Sequence, residues 1–419
     1  MKNILPIVLL CSYFFTFLIG NFQASYDRVV PQILFVSLLN LISISYIFYK
    51  ESFDDVYKKI KKSKVFIFFI AIIVFSGISI VKAINIQEAI LVFSQYLTLF
   101  GCFFSIYMLS SKTNFSFIKF FFTIAFISCA IESIPIVNII INKFIINGEP
   151  FLRSNELSGF SANINIISYS LAIKFPVLIY LALKLKKKLL KILVYLIIIS
   201  SSVVIIALLS RGAFLAWMIS ILIFFIISLI KDARIFIKPL IFVFVSITIS
   251  YLFVGEFIDK AENTVQQRIE SIEVVTDDAS INQRLSYYAA SIKMIKSSPL
   301  IGIGIGNWKL VSTKYLNHEM NEYIVAGFAH NDFLQLASEI GLIGLMCYIM
   351  IFYLIFFKLI NGVIKDRNYL INLTLLVMLV VYFIDSMLNF PISRPISYIA
   401  MIFVLVSSMN INNSVRNEK

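Results

Sequence analysis

Apolar stretches recur along the chain at roughly 3–20, 31–49, 65–82, 90–110, 117–141, 164–183, 192–210, 212–230, 236–255, 333–357, 369–388 and 396–411. Most approach the roughly 20 residues that an α-helix needs to cross the hydrocarbon of a bilayer. No water is available there to bond a bare N–H or C=O, so each stretch must satisfy its own backbone, and helices answer that demand. Composition agrees: 60% of the 419 residues are hydrophobic and 14% charged, against about half and about a quarter in a soluble domain. The expected fold is therefore an all-α polytopic membrane protein with about twelve transmembrane helices. Helices 1–9 occupy 1–255, a large hydrophilic loop 256–332, and helices 10–12 with a tail 333–419.

The net charge of +13 invites a nucleic-acid reading, but its distribution opposes that. With the N-terminus inside, 22 of the 36 basic residues fall on inner segments, among them Lys58, Lys59, Lys61, Lys62, Lys186, Lys187 and Lys188. That is the positive-inside pattern, with both termini cytoplasmic. Arginine behaves differently from lysine: Arg28, Arg153, Arg211, Arg268, Arg284 and Arg394 lie at or beyond the outer face. A guanidinium offers a planar fork for phosphate oxygens that topology alone does not require. Cys11, Cys102, Cys129 and Cys347 sit in separate spans without metal-ligand spacing, so neither a zinc site nor a disulfide framework is expected. The start, Lys2 followed by apolar residues, reads as an uncleaved signal-anchor.

Polar residues inside or beside the spans are costly and hence functional candidates. The outer loop 142–163 carries Arg153 and Asn163, and Lys174 lies about ten residues into the following span. Ser210-Arg211-Gly212 makes an abrupt outer turn between two spans. In the 256–332 loop, EFIDKAENTVQQRIESIEVV and INQRLSYYAASIKMI both have helical amphipathic spacing. The second puts Arg284, Tyr288 and Ser291 on one face. SSPLIGIGIGNW then reverses the chain; its glycines form no dinucleotide fingerprint, because no strand precedes them. His330, Asn331, Asp332, Gln335 and Glu339 lead into span 10, and Asp385, Asn389 and Arg394 lie in the connector between the last two spans.

Two outer guanidiniums can bind a pyrophosphate through charge-assisted bidentate hydrogen bonds. A histidine can take the proton of an attacking hydroxyl near neutral pH, with Asp332 or Glu339 to orient it. Together they suit glycosyl transfer from a lipid pyrophosphate, in which the leaving group carries the charge. The spacing leaves a plainer alternative open: His330 caps a helix and the arginines anchor in headgroups. A lipid or polysaccharide transporter would call for inverted repeats and helices broken at mid-membrane, and neither is visible in the sequence.

SRGAFLAW, RLSYYAASIKMIKSSPLIGIGIGNW and AHNDFLQLASEIGLIGL, in that order, resemble the signature of the bacterial O-antigen ligase and polymerase superfamily. RSNELSGFSAN is a looser match, with Arg153 six residues before Gly159. The resemblance implies a glycosyltransferase of the all-helical type C class in the bacterial inner membrane, working on the periplasmic face. It implies an undecaprenyl-pyrophosphate-linked glycan as donor, held by Arg211 and Arg284, and His330 as the general base that activates the acceptor hydroxyl. Arg153, Asn163, Lys174, Asn331 and Asp332 are secondary substrate-binding candidates. Inversion at the anomeric carbon is expected, with no metal and no cofactor. A ligase moves the glycan to lipid A-core and a polymerase to another lipid-linked unit; the single large outer loop favours the ligase.

Overall fold

The computed structural model describes residues 4–20, 29–112, 116–147, 155–161, 163–208, 210–258, 279–316, 326–365 and 369–416. These form α1 (Ile4–Phe14), α2 (Val29–Lys50), α3 (Phe53–Lys61), α4 (Lys64–Ser79), α5 (Ile86–Ser110), α6 (Phe117–Ile140), α7 (Ile164–Lys184), α8 (Lys188–Ala207) and α9 (Arg211–Ile258). They continue with α10 (Ala279–Ser297), α11 (Trp308–Val311), α12 (Asp332–Lys365), α13 (Tyr369–Leu388) and α14 (Pro395–Arg416). The fold is all-α, without a strand among the described residues. Among them nine helices are long and apolar enough to cross a membrane, and Ile4–Phe14, Leu240–Gly255 and Pro395–Ile411 are shorter apolar segments at the other expected positions.

The α9 element contains two spans. A straight helix would separate Phe225 and Phe244 by roughly 28 Å, yet their ring centroids are 5.2 Å apart. The helix therefore folds back between them, as the break between apolar stretches at 230 and 236 requires.

Burial separates central from peripheral helices. In α7, 83% of the apolar window is buried, and in α13 72%, against 33–50% for the other spans. Here α7 packs on α6, α8, α9 and α13, while α12 packs on α4 and α13. The sequence of α7 explains its position, because Ser168, Tyr169, Ser170 and Lys174 would be costly against lipid. The Lys174 ammonium is ion-paired with Glu132 of α6 and donates to Ser128 Oγ at 2.9 Å. Ser170 Oγ donates to the other Glu132 oxygen at 2.8 Å, and the Phe17 ring lies 5.5 Å from the ammonium. Lys174 is 2% exposed. Lys174, expected as a secondary substrate-binding residue, thus joins α7 to α6 through Ser128 and Glu132. Lys174→Met is expected to destabilise the protein by about 3–5 kcal/mol by stranding the Glu132 carboxylate. Thermal unfolding in detergent checks it, and full stability with lost activity would return Lys174 to the site.

A smaller core forms outside the bundle. Tyr287, Ala290 and Met294 of α10 pack on Trp308, Val311, Ala326 and Ala329. Ser291 belongs to this core, where it accepts the Trp308 indole N–H at 2.8 Å. The first amphipathic segment of the loop falls mainly on 259–278, outside the described residues.

The core is locked to the bundle by backbone. Helix α12 is broken at Gly341 (φ 79°, ψ 173°), which frees carbonyls that an intact helix would use. Ile303 N donates to Ser338 O at 2.8 Å and Gly304 N to Glu339 O at 3.1 Å, while Leu342 N donates to Pro299 O at 2.8 Å. Two glycines make the approach: a Cβ on Gly302 would overlap the Glu339 carbonyl, and one on Gly341 the Leu300 carbonyl. The glycine run, expected as a simple reversal, is thus a plug in a broken helix. The sequence shows no broken span, and here there is one, with its freed groups taken up by the turn.

Candidate active site

His330 ends the short segment that leads into α12. Its φ of 53° is the only positive value at a non-glycine residue among those described, a conformation that persists where the surroundings hold it. Tyr288 Oη donates to His330 O at 3.2 Å and also lies 3.3 Å from Met387 O. Ala329 N donates to Gln335 Oε1 at 3.1 Å. Asn331 caps α12, accepting from Leu334 N at 3.0 Å, while its amide donates to Met387 O at 3.0 Å.

The imidazole is held by rings. Tyr287 stacks on it with centroids 6.1 Å apart, and Phe390 meets it edge-on at 5.2 Å. Its Nδ1 is buried without a hydrogen-bond partner among the described residues. Neither expected carboxylate orients it. Asp332 accepts from Ile392 N at 3.2 Å. Glu339 accepts from Trp308 N at 3.1 Å and from Gln335 Nε2 at 3.4 Å. Both are fasteners: Asp332 ties α12 to the connector after α13, and Glu339 ties it to α11. Asn331 and Asp332, expected as secondary substrate-binding residues, make these bonds within the chain.

Two cations act on His330. Burial is the largest influence and the charges of Arg284 and Arg394 add to it, bringing its pKa down to about 4. The ring is therefore neutral at neutral pH, the form that accepts a proton. Arg284 stands one turn before Tyr288 on α10, as the spacing predicts. Arg211 opens α9, where Phe214 N donates to Ser210 O at 2.8 Å. The next residue, Gly212, lies so close to Tyr169 that a Cβ would overlap its hydroxyl. Tyr169 is in electrostatic reach of Asp385, Arg284, Arg394 and Tyr288. That phenol links the Arg211 turn to the Arg284–His330 pair, so residues far apart in sequence meet at one end of the bundle.

Sequence reasoning counted Arg394 among the outer arginines and in a connector without giving it a role in the site, and it missed Tyr169. Arg394 is 4% exposed, its Cζ 3.8 Å from the centroid of the Phe390 ring. Tyr169 had a readable signal: it falls in the one polar stretch of its span, five residues before Lys174. Asn163 is exposed and caps α7, accepting from Asn165 N at 2.8 Å. Arg153 lies outside the described residues.

A small apolar cavity of about 40 Å³ is lined by Phe69, Tyr96, Tyr348, Phe352, Tyr382 and Met401, among others. Ile392, whose N–H binds Asp332, forms part of its wall.

Residues 194–349 match the family model described as O-antigen ligase. No curated protein matches the chain.

Proposed function

We propose, from the match of residues 194–349 to the O-antigen ligase family model, that the protein transfers a polyprenyl-pyrophosphate-linked glycan to a hydroxyl of lipid A-core. The observation that carries this reading is a neutral, half-buried imidazole within electrostatic reach of the Arg284 and Arg394 guanidiniums. In the proposed reaction His330 takes the proton of the acceptor hydroxyl, whose oxygen attacks the anomeric carbon. The bond from that carbon to the pyrophosphate oxygen breaks, and its electron pair leaves with the lipid pyrophosphate. Arg211 and Arg284 bind that group, and attack from the opposite side inverts the anomeric centre. No step needs a metal or a nucleotide. The site would face the periplasm of the inner membrane, with both termini cytoplasmic, as the distribution of lysines supports.

The test incubates purified protein with lipid-linked glycan and lipid A-core, with chelator and without nucleotide. Transfer to the core supports the ligase reading. Transfer only to a second lipid-linked unit identifies a polymerase, and no movement of glycan sinks both.

The pH dependence is a separate check. Because His330 must be neutral and its pKa lies near 4, kcat/KM is expected to stay flat as pH falls from 7 to about 5 and to drop near 4. The charged groups acting on it are Arg284 on α10 and Arg394 in the connector, with the phenols Tyr287 and Tyr288 beside it; Asp332 on α12 and Asp385 on α13 act on Arg394. Bound pyrophosphate offsets the two cations, so the acid limb of kcat should lie at higher pH than that of kcat/KM. Identical limbs, or one near pH 6.5, would contradict this environment.

A further inference from the structure

We propose that Arg394 is a third guanidinium of this site, binding the pyrophosphate as it leaves; the assignment rests on the donor chemistry proposed above. Arg394 is buried, and its Nε and Nη1 have no hydrogen-bond partner among the described residues. Buried guanidinium donors left open are expensive, and a fold that keeps them commonly does so for a ligand. Asp385 and Asp332 are within electrostatic reach yet form no ion pair with it among the described residues. Asp385 Oδ1 is taken by Asn389 Nδ2 at 2.9 Å, and Asp332 Oδ2 by Ile392 N. The two carboxylates thus balance the charge of Arg394 without occupying its fork.

Position supports the same role. Arg394 lies on the Phe390 ring, and that ring also touches His330. Phe328 stacks on Phe390 at 3.9 Å, so the guanidinium has a rigid platform. It is also within electrostatic reach of Arg284 and Tyr169. A pyrophosphate diester carries two negative charges, which Arg211 and Arg284 match. Cleavage of the sugar–oxygen bond adds charge on the leaving oxygen, and a third fork nearby stabilises that charge as it develops. An interaction stronger in the transition state than in the ground state raises kcat more than it lowers KM.

The experiment uses the full chain in nanodiscs. Binding of undecaprenyl pyrophosphate, the leaving group, to the unmodified protein tests the underlying reading; if it does not bind, the donor assignment fails whatever Arg394 does. Given binding, folded Arg394→Met is expected to lose about 100-fold in kcat with less than tenfold change in donor KM. Its acid limb of kcat/KM should move to higher pH, because one cation acting on His330 is gone; a purely structural Arg394 would not give that split and shift together. Transfer within threefold of the unmodified protein, or an unmoved acid limb, overturns the proposal. Should Arg394→Met not fold, Arg394→Lys keeps the charge without the fork. A lower kcat at unchanged donor KM then supports the assignment, and an unchanged kcat overturns it.

Discussion

His330→Asn is expected to lower glycan transfer by about 10²–10⁴-fold, the range for loss of a general base, with little change in undecaprenyl pyrophosphate binding. Asparagine is the informative replacement because it tolerates the left-handed backbone that His330 adopts. It also leaves Tyr288 its acceptor, since Tyr288 bonds the main-chain oxygen and not the ring. Stability should therefore change little, and the loss would belong to chemistry. Single-turnover transfer in nanodiscs measures it, and a rate within tenfold of the unmodified protein removes His330 as the base. No carboxylate stands behind this imidazole, so its orientation comes from Tyr287 and Phe390. Tyr287→Leu should thus impair transfer more than either Asp332→Asn or Glu339→Gln impairs it through the ring.

Gly341→Ala should be the most damaging conservative change in the protein. At φ 79° an alanine is strained, at about 1–3 kcal/mol, and its Cβ would overlap the Leu300 carbonyl. Relief requires the glycine turn to withdraw, which strands the Ser338 and Glu339 carbonyls inside the bundle, each at about 1–3 kcal/mol. Gly302→Ala attacks the same contact from the other side and should behave alike. Gly255, with nothing near its Cβ position, is the control: Gly255→Ala should be neutral or stabilising. Thermal unfolding and transfer rate check all three, and a Gly341→Ala protein of normal stability and activity would refute the interlock. Because the lock joins α12 to the α10–α11 core, it fixes His330 relative to Arg284.

The membrane spans could be read from sequence because lipid imposes one local rule, that each segment satisfy its own backbone. Nothing in the rest of the chain has to be known to apply it, and even the fold-back of α9 was visible as a gap between two apolar stretches. Arg211, Arg284 and His330 were legible for a related reason: charged or titratable groups at span ends are few, and these stand in recognisable local patterns. The ion pair of Lys174 was not legible, because its partner, Glu132, lies 42 positions earlier and only helix packing pairs them.

What the chain determined by itself was therefore its all-helical, membrane-spanning architecture and the three residues proposed for chemistry. What only the tertiary structure decided was how those residues are tuned and held. Glu339 and Asp332 became fasteners because α11 and the α13–α14 connector present backbone N–H groups to them. Arg394 became a neighbour of His330 because that connector returns over the start of α12. Such roles depend on distances across helices, and a sequence carries no direct record of those.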